Sequence, residues 1–526
     1  MFNIDVIDAG TVRRISYRTG DSLLETLHSA GINIRTGCQK TGACTLCRIF
    51  VREGNAGPIT TAEKSELGHW LSQGMRLACQ VVPNGDLVVE LISQGNATTL
   101  ATDFVQSGYQ TEGLIRTDVP STGCGVAVDI GTTNVTISIF QWKNGERLAG
   151  QTFSNPQREY GSDVITRVLK AAEDLSFAKE LHNRLFNKIK EALQELTRVA
   201  NVGLEEITGI GIVGNTAMLA LFHSSSYQQL LDPQYWEKTL ILPDTDEKGI
   251  IDFFQISRQA SVKVIDPLAG FVGSDLLAGI TAIRLTDKEP GTLFLDFGTN
   301  TEIALWDGER VWVTAAAGGP AFEGCGMSFG SPAVPGAIFK VSRPEKPENS
   351  FRTLTIDGKD AIGICGSGYV DIISKLLDMN VLDAIGRLAG APEKEIVVME
   401  TPLIKVTKWD IDMFQRAKAA VAAGIEVLLH RAGMLSADIK HIYVAGNFGR
   451  FLDVANAQRI GLLPSINADY VYLCGNTALR GCEDIMLNGT ARDMLSTIRK
   501  KASYINLAYD SEFESIFIDR LYLRPF

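Results

Sequence analysis

The feature that most limits the fold is a strand, turn and strand unit that the chain uses twice. GVAVDIGTTNVTISIF sets two apolar runs on either side of Gly131, Thr132, Thr133 and Asn134. LFLDFGTNTEIALW repeats the pattern, placing Asp296, Gly298, Thr299 and Asn300 opposite Asp129, Gly131, Thr132 and Thr133. Such a turn binds phosphate well, because its backbone amides and hydroxyls point at an anion and the aspartate ending the first strand can hold a hydrated divalent metal. One Gly-Thr turn between strands is usually structural, whereas two in register are a specific signal. The correspondence continues. GIGIVGNTAM, with Gly214 and Asn215, recurs as HIYVAGNFGR, with Gly446 and Asn447, each ending a strand and opening a helix; a third strand-to-helix junction at FVGSDLLAG, around Gly273, is answered by YLCGNTALRG, around Gly475. The same order in both halves predicts two similar α/β lobes. Between the strands, AKELHNRLFNKIKEALQELTRVA carries Leu181, Leu185, Ile189, Leu193 and Leu196 on one helical face, a core signal.

The chain has nine cysteines, four of them within the first 80 residues. Cys38, Cys44 and Cys47 lie in GCQKTGACTLC, and Cys79 follows in RLACQ. A 2Fe-2S cluster needs four thiolates, and ferredoxins take three from one tight loop and the fourth from a distant turn. Gly37 and Gly42 would let the backbone wrap around a cluster and aim amides at its sulfurs. Five residues separate Cys38 from Cys44, one more than in the plant-type spacing, so the match is to a neighbouring ferredoxin class. The competing reading is a zinc site or buried structural thiols; zinc normally takes two CxxC-like pairs, and here Cys44 and Cys47 form one. DSLLETLHSAGINI reads as a helix capped by Asp21 or Ser22, and VVPNGDLVVEL as a turn between two strands, which gives a small α+β domain over residues 1–95. Residues 96–122, polar and small, read as a linker, followed by lobe I over 123–290 and lobe II over 291–526.

Bulk properties narrow the partners. Length alone, 526 residues, calls for more than one core. The formal net charge is -11 and no Lys/Arg run is dense enough to track a phosphate backbone or an anionic membrane, so neither nucleic acid nor a membrane is an expected partner. No stretch is long and apolar enough to span a bilayer, and Met1–Gly20 lacks the apolar block of a signal peptide, which leads to an expected cytoplasmic location. Cys325, Cys365, Cys474 and Cys482 lack tight ligand spacing and, with Cys124, read as buried thiols. The six histidines are dispersed and none is assigned to catalysis.

The twin DxGT hairpins, with a late strand-AGxxG-helix segment, resemble the actin-like ATPase and sugar-kinase superfamily over residues 123–526. The resemblance implies two lobes around a nucleotide cleft, with Asp129 to Asn134 and Asp296 to Asn300 on the phosphates and Gly446, Asn447 and Gly449 against the adenosine. Gly446-Asn447 stands where many members have a Gly-Gly pair, so the purine contact leaves ATP and GTP both open. Joined to an N-terminal 2Fe-2S domain, the module is similar to the reductive activators of corrinoid proteins. That resemblance implies ATP with Mg2+ and a homodimer; the partners it implies are an upstream electron donor and a corrinoid protein of a methyltransferase system, whose Co(II) is reduced to Co(I). Glycine segments at Ala315–Gly324, including Gly318 and Gly319, and at Gly363–Ile372 match family patterns and are expected to shape the cleft. ATP would act as a conformational lever: an electron moved against roughly 100 mV costs about 2.3 kcal/mol, within the roughly 1 to 3 kcal/mol by which coupled sites commonly differ. Two other readings stand beside this one, a sugar or acid kinase with a regulatory ferredoxin domain and an ATP-gated electron carrier or redox sensor. For the hydrolytic base, Glu302, Glu323 and Asp275 are equal candidates.

Overall fold

The computed structural model describes residues 2–8, 11–17, 20–32, 34, 40, 42, 47–67, 71–72, 74–91, 99–100, 122–161, 164–240, 242–318, 320–324, 326–343, 351–389 and 395–526. It divides into two compact units, Met1–Asn96 with Pro156–Arg167 and Ala97–Asn155 with Val168–Phe526.

In the first unit, β1 (Phe2–Asp8), β2 (Thr11–Tyr17), β3 (Arg48–Gly54), β4 (Met75–Leu77) and β5 (Leu87–Leu91) form one sheet in the order β2-β1-β5-β3-β4. β1 pairs antiparallel with β2 and parallel with β5. The helix Leu23–Ser29 begins at Ser22, not Asp21: the Ser22 hydroxyl accepts from the Glu25 amide while the Glu25 carboxylate accepts from the Ser22 amide, a reciprocal cap that satisfies two otherwise orphaned donors. Leu23, Leu24 and Leu27 then meet Ile4, Val6, Leu77 and Val89 in the core. One expectation fails. In VVPNGDLVVEL only Leu87–Leu91 is a strand; Val81 is spent on a tight turn after β4, donating to the Leu77 carbonyl and accepting from the Leu23 amide, so no partner strand precedes Pro83.

The second unit repeats one plan. Its first half contains β6 (Thr99–Leu100), β7 (Cys124–Ile130), β8 (Asn134–Gln141), β9 (Arg147–Ser154), β10 (Ile207–Gly214) and β11 (Ser261–Val264), ordered β11-β10-β7-β8-β9-β6. The second half contains β12 (Thr292–Phe297), β13 (Thr301–Trp306), β14 (Val311–Ala316) and two small sheets, β15 (Ala337–Ser342) with β16 (Arg352–Thr355) and β17 (Gly363–Ile364), and β18 (Ile396–Met399) with β19 (Ile404–Val406). Then come β20 (His441–Ala445), β21 (Val471–Gly475) and β22 (Ala502–Tyr504), giving the order β21-β20-β12-β13-β14-β22. Each half is an antiparallel meander followed by two parallel strands. Parallel neighbours need long crossovers. The helix Leu175–Ala200 serves the first half and buries Leu181, Leu185, Ile189, Leu193 and Leu196 as the periodicity predicts; Lys408–Ala432 serves the second.

Two sequence expectations change here. Thr99–Leu100, inside the stretch read as linker, pairs with β9; a two-residue strand has no periodicity to reveal it and owes its form to the edge it joins. The junction at Gly273 does not follow a strand directly, because β11 ends at Val264. The helices that open after Gly273 and Gly475, Ser274–Ala282 and Thr477–Leu487, pack together and share a core with both sheets through Leu276, Ile280, Leu479, Ile485, Phe140 and Phe294. A Cβ at Gly481 would lie 1.9 Å from the Ala278 carbonyl oxygen, so the two helices cross almost backbone to backbone. Glu483, on the second of them, accepts from Arg147 Nε and Nη2 at 2.8 Å each and from Ser138 Oγ at 2.6 Å, tying this helix to the first-half sheet.

Candidate functional site

The duplication brings the two Gly-Thr turns together. Thr133 Oγ1 lies 2.9 Å from Thr299 Oγ1, and both hydroxyls donate to Glu323 Oε2, at 2.9 and 3.2 Å. Two hydroxyl protons cannot fill all three oxygen contacts at once, and phosphate oxygens could take the place of one corner of this triangle. The first turn is braced by a residue that sequence reasoning missed. Asn155, at the end of β9, donates from its side chain to the Gly131 carbonyl and from its backbone to the Thr133 carbonyl, both at 2.9 Å. Gly131 N donates to Asn134 O, and Gly298 N to Asn300 O, each at 3.0 Å.

Behind the turns stand four carboxylates. Asp129 and Asp296 end β7 and β12, Asp275 lies in the first turn of the helix Ser274–Ala282, and Glu302 pairs across from Asp296 in β13. Asp129, Asp275 and Asp296 keep part of their surface open, whereas Glu302 is buried. Burial raises the pKa of all four. It takes Asp129 to about 6, against a 2.9 Å hydrogen bond from Asn476 Nδ2 that favours the charged form. Asp296 goes to about 7 through burial and then the neighbouring charge of Asp129. Asp275 and Glu302 are pushed well above the carboxylate range by burial first, then by the charges of Asp129 and Asp296 and, for Glu302, of Asp275. Such a recess disfavours its own ionisation and favours a cation. Yet among the described residues no three His, Cys, Asp or Glu side chains are arranged to hold a metal ion by themselves. Asp129 and Asp296 could offer the one or two carboxylates that a Mg2+ keeping most of its water needs.

The remaining nucleotide candidates fall around this recess. Gly446 has φ +86°, and a Cβ there would lie 2.3 Å from the Phe297 carbonyl oxygen and 3.1 Å from Asp296 Oδ1, so the helix start Gly446–Gly449 is pressed against the second turn. Asn447 is exposed, and Gly449 packs against Val444 of the preceding strand. Gly318 donates to the Ala316 carbonyl and sits beside Thr301 and Phe322; Thr132 is buried in the first turn. Gly319 lies outside the described residues. Of the three candidate bases, Glu323 reaches both threonines, while Asp275 and Glu302 belong to the buried acidic group. Asn476 was also missed, although the Gly-Asn pair recurs at 214–215, 446–447 and 475–476, and Asn215 and Asn476 both cap the helices that follow.

In the first unit, Cys38 and Cys44 lie outside the described residues, while Cys47 and Cys79 are buried. The Cys47 thiol beside Cys79 is the main cause that brings the Cys79 pKa down to about 7, and the Ala78 amide donates to the Cys47 carbonyl. A paired set of soft, ionisable thiols fits a 2Fe-2S cluster. Beneath Cys79, Glu63 and Arg76 form a buried ion pair at 2.7 Å, and Arg76 also reaches the carbonyls of Gly57 and Pro58. Elsewhere, burial raises Cys365, Cys474 (to about 12) and Cys482, the behaviour of inert thiols; Cys325 lies outside the described residues.

A ferredoxin-like unit and a duplicated actin-like fold with facing Gly-Thr turns define the class: an iron-sulfur protein built onto an ASKHA-type module. Residues 291–525 match the C-terminal ASKHA domain of RACo, 124–288 the RACo middle region, and 6–84 the 2Fe-2S iron-sulfur cluster binding domain. The chain is 30% identical over 417 residues to the corrinoid activation enzyme RamQ of Eubacterium limosum, covering 74% of this chain and 68% of that protein. It is 24% identical over 433 residues to the [Co(II) methylated amine-specific corrinoid protein] reductase of Methanosarcina barkeri, covering 76% of each. A solved reductive activator for corrinoid,iron-sulfur protein shares the fold, with a TM-score of 0.69 at 24% identity across 100% of this chain and 99% of that one. The chain belongs to this family of corrinoid-activating proteins.

Proposed function

We propose that this protein uses Mg-ATP to drive one electron onto the Co(II) of a corrinoid protein in a methyltransferase system, regenerating Co(I). Cys38, Cys44, Cys47 and Cys79 would hold a 2Fe-2S cluster, which would supply that electron after reduction by an upstream donor. The observation that carries the reading is the meeting of Thr133, Thr299 and Glu323 above a recess of raised-pKa carboxylates, in a chain that also carries a cluster-binding unit.

The chain's own residues divide the work. The turns at Gly131–Asn134 and Gly298–Asn300 cradle the phosphates with backbone amides and hydroxyls. Asp129 and Asp296 would hold a hydrated Mg2+, which would favour their charged forms. Glu323, released from the threonines as phosphate enters, orients the attacking water and takes its proton. Because the two turns come from opposite halves, occupancy and hydrolysis change how those halves close, and that two-state closure is the lever that favours one state of the docked partner. No phosphate need reach the cobalt. The setting is cytoplasmic, and a second copy of the chain completes a homodimer.

The test is anaerobic. Reduced protein is mixed with Co(II) corrinoid protein with and without Mg-ATP, and the cobalt absorption is followed. Co(I) should form only with ATP and be lost in Cys44→Ser and Asp296→Ala. Equal Co(I) formation without nucleotide would reject ATP coupling.

A further inference from the structure

Gln80 follows Cys79, and its Nε2 lies 2.5 Å from the Lys40 carbonyl oxygen and 3.7 Å from Cys79 Sγ. A carbonyl oxygen accepts from the nitrogen end of an amide and repels the oxygen end, so Lys40 fixes which end of Gln80 faces the sulfur. The two hydrogens of the NH2 group serve one acceptor each. Lys40 stands at φ +68°, the left-handed region that a non-glycine residue enters only when its surroundings demand it. Its surroundings do so from two directions: the ammonium pairs with Glu25, which also closes the cap of the helix Leu23–Ser29, and the carbonyl is held by Gln80.

We propose that Gln80 is a positioning residue for the iron-sulfur site: its amide donates to the Cys79 thiolate and holds the Lys40 carbonyl. A donor to a ligating sulfur stabilises the more negative, reduced state and so raises the reduction potential. The inference rests on Cys79 being a cluster ligand, the reading given above. Gln80 would therefore set how much of the driving force must come from nucleotide closure.

The test uses full-length holoprotein. Gln80→Leu keeps the shape of the side chain and removes the donor. In a mediated redox titration read by the electron paramagnetic resonance of the reduced cluster, the ratio of reduced to oxidised protein at the wild-type midpoint should fall by about threefold to tenfold; tenfold corresponds to 59 mV for one electron. An unchanged midpoint at wild-type iron content would overturn the proposal. A second measurement needs no variant: with 15N on glutamine side chains, hyperfine spectroscopy of the reduced wild-type protein should show coupling to a side-chain nitrogen, and its absence would equally overturn it. Cys79→Ser isolates the underlying reading, since a wild-type cluster spectrum in that variant removes Cys79 as ligand regardless of Gln80.

Discussion

The two Gly-Thr turns are copies that differ by one residue. Ile130 pairs with Val135 across the first turn, whereas Phe297 pairs with Thr301 across the second, which is therefore one residue shorter. The shift changes what faces each aspartate: Thr136 stands across from Asp129, Glu302 across from Asp296. On the first side Asn476, 347 positions away, donates to Asp129 and reaches Thr136 at 3.5 Å, and Asn155 braces the turn from below. On the second side a further acid and the tight approach of Gly446 crowd Asp296. Burial raises both acids; the bond from Asn476 opposes the rise at Asp129, whereas the charge of Asp129 adds to it at Asp296. Duplication supplied two equivalent turns; divergence gave one aspartate an amide partner and the other a second acid.

The sharpest way to break this asymmetry is to neutralise each aspartate in turn. Asp296→Asn should lower ATP turnover by about 10²- to 10³-fold, the loss typical of one preorganised electrostatic partner, and Asp129→Asn by less; equal losses, read by steady-state hydrolysis, would show the two sides to be interchangeable. Glu323→Gln should cost about 10²-fold in hydrolysis, as for a general base, with nucleotide affinity measured calorimetrically unchanged or improved, because the phosphate no longer displaces a carboxylate from the threonines. A drop in affinity would make Glu323 a binding group instead.

Stability should respond with an unusual sign. Asp296 has a folded pKa above its ordinary 3.8, so the native state binds more protons than the unfolded one between about pH 4 and 7; the stability linked to this group is full below its ordinary pKa and is lost as pH rises through about 7. Asp296→Asn should therefore stabilise the nucleotide-free protein by about 1 to 3 kcal/mol at pH 8, fading toward pH 4, as followed by chemical denaturation. The smallest effect is expected at Asn476. Asn476→Ala removes the bond that favours ionised Asp129, so the acid limb of the ATPase pH profile should move upward by about one unit; an unmoved limb would take Asp129 out of the titration that controls turnover.

How much of this was legible in the sequence follows from the range of each interaction. Strand, turn and strand units are written in contiguous residues, so both Gly-Thr hairpins, the crossover helix and the repetition of one plan in two halves were readable. Thr99–Leu100 was not, because an edge strand of two residues exists only through its partner. Asp275, Glu302 and Glu323 could be named but not ranked, since what separates them is which side chain reaches the threonines across a cleft. Asn155 and Asn476 carry ordinary capping and turn residues whose work is done on a distant hairpin. Gln80 looked like any residue after a cysteine until the Lys40 carbonyl fixed the direction of its amide.

The most direct test of the account is a single-turnover experiment in which the protein is reduced in advance, excess reductant is removed, and Co(II) corrinoid protein is added with Mg-ATP while cluster and cobalt absorption are recorded together. The account predicts that cluster reoxidation and Co(I) formation share one rate constant and one electron per event, and that this rate requires ATP. Co(I) appearing without cluster reoxidation, or at the same rate without nucleotide, would contradict it.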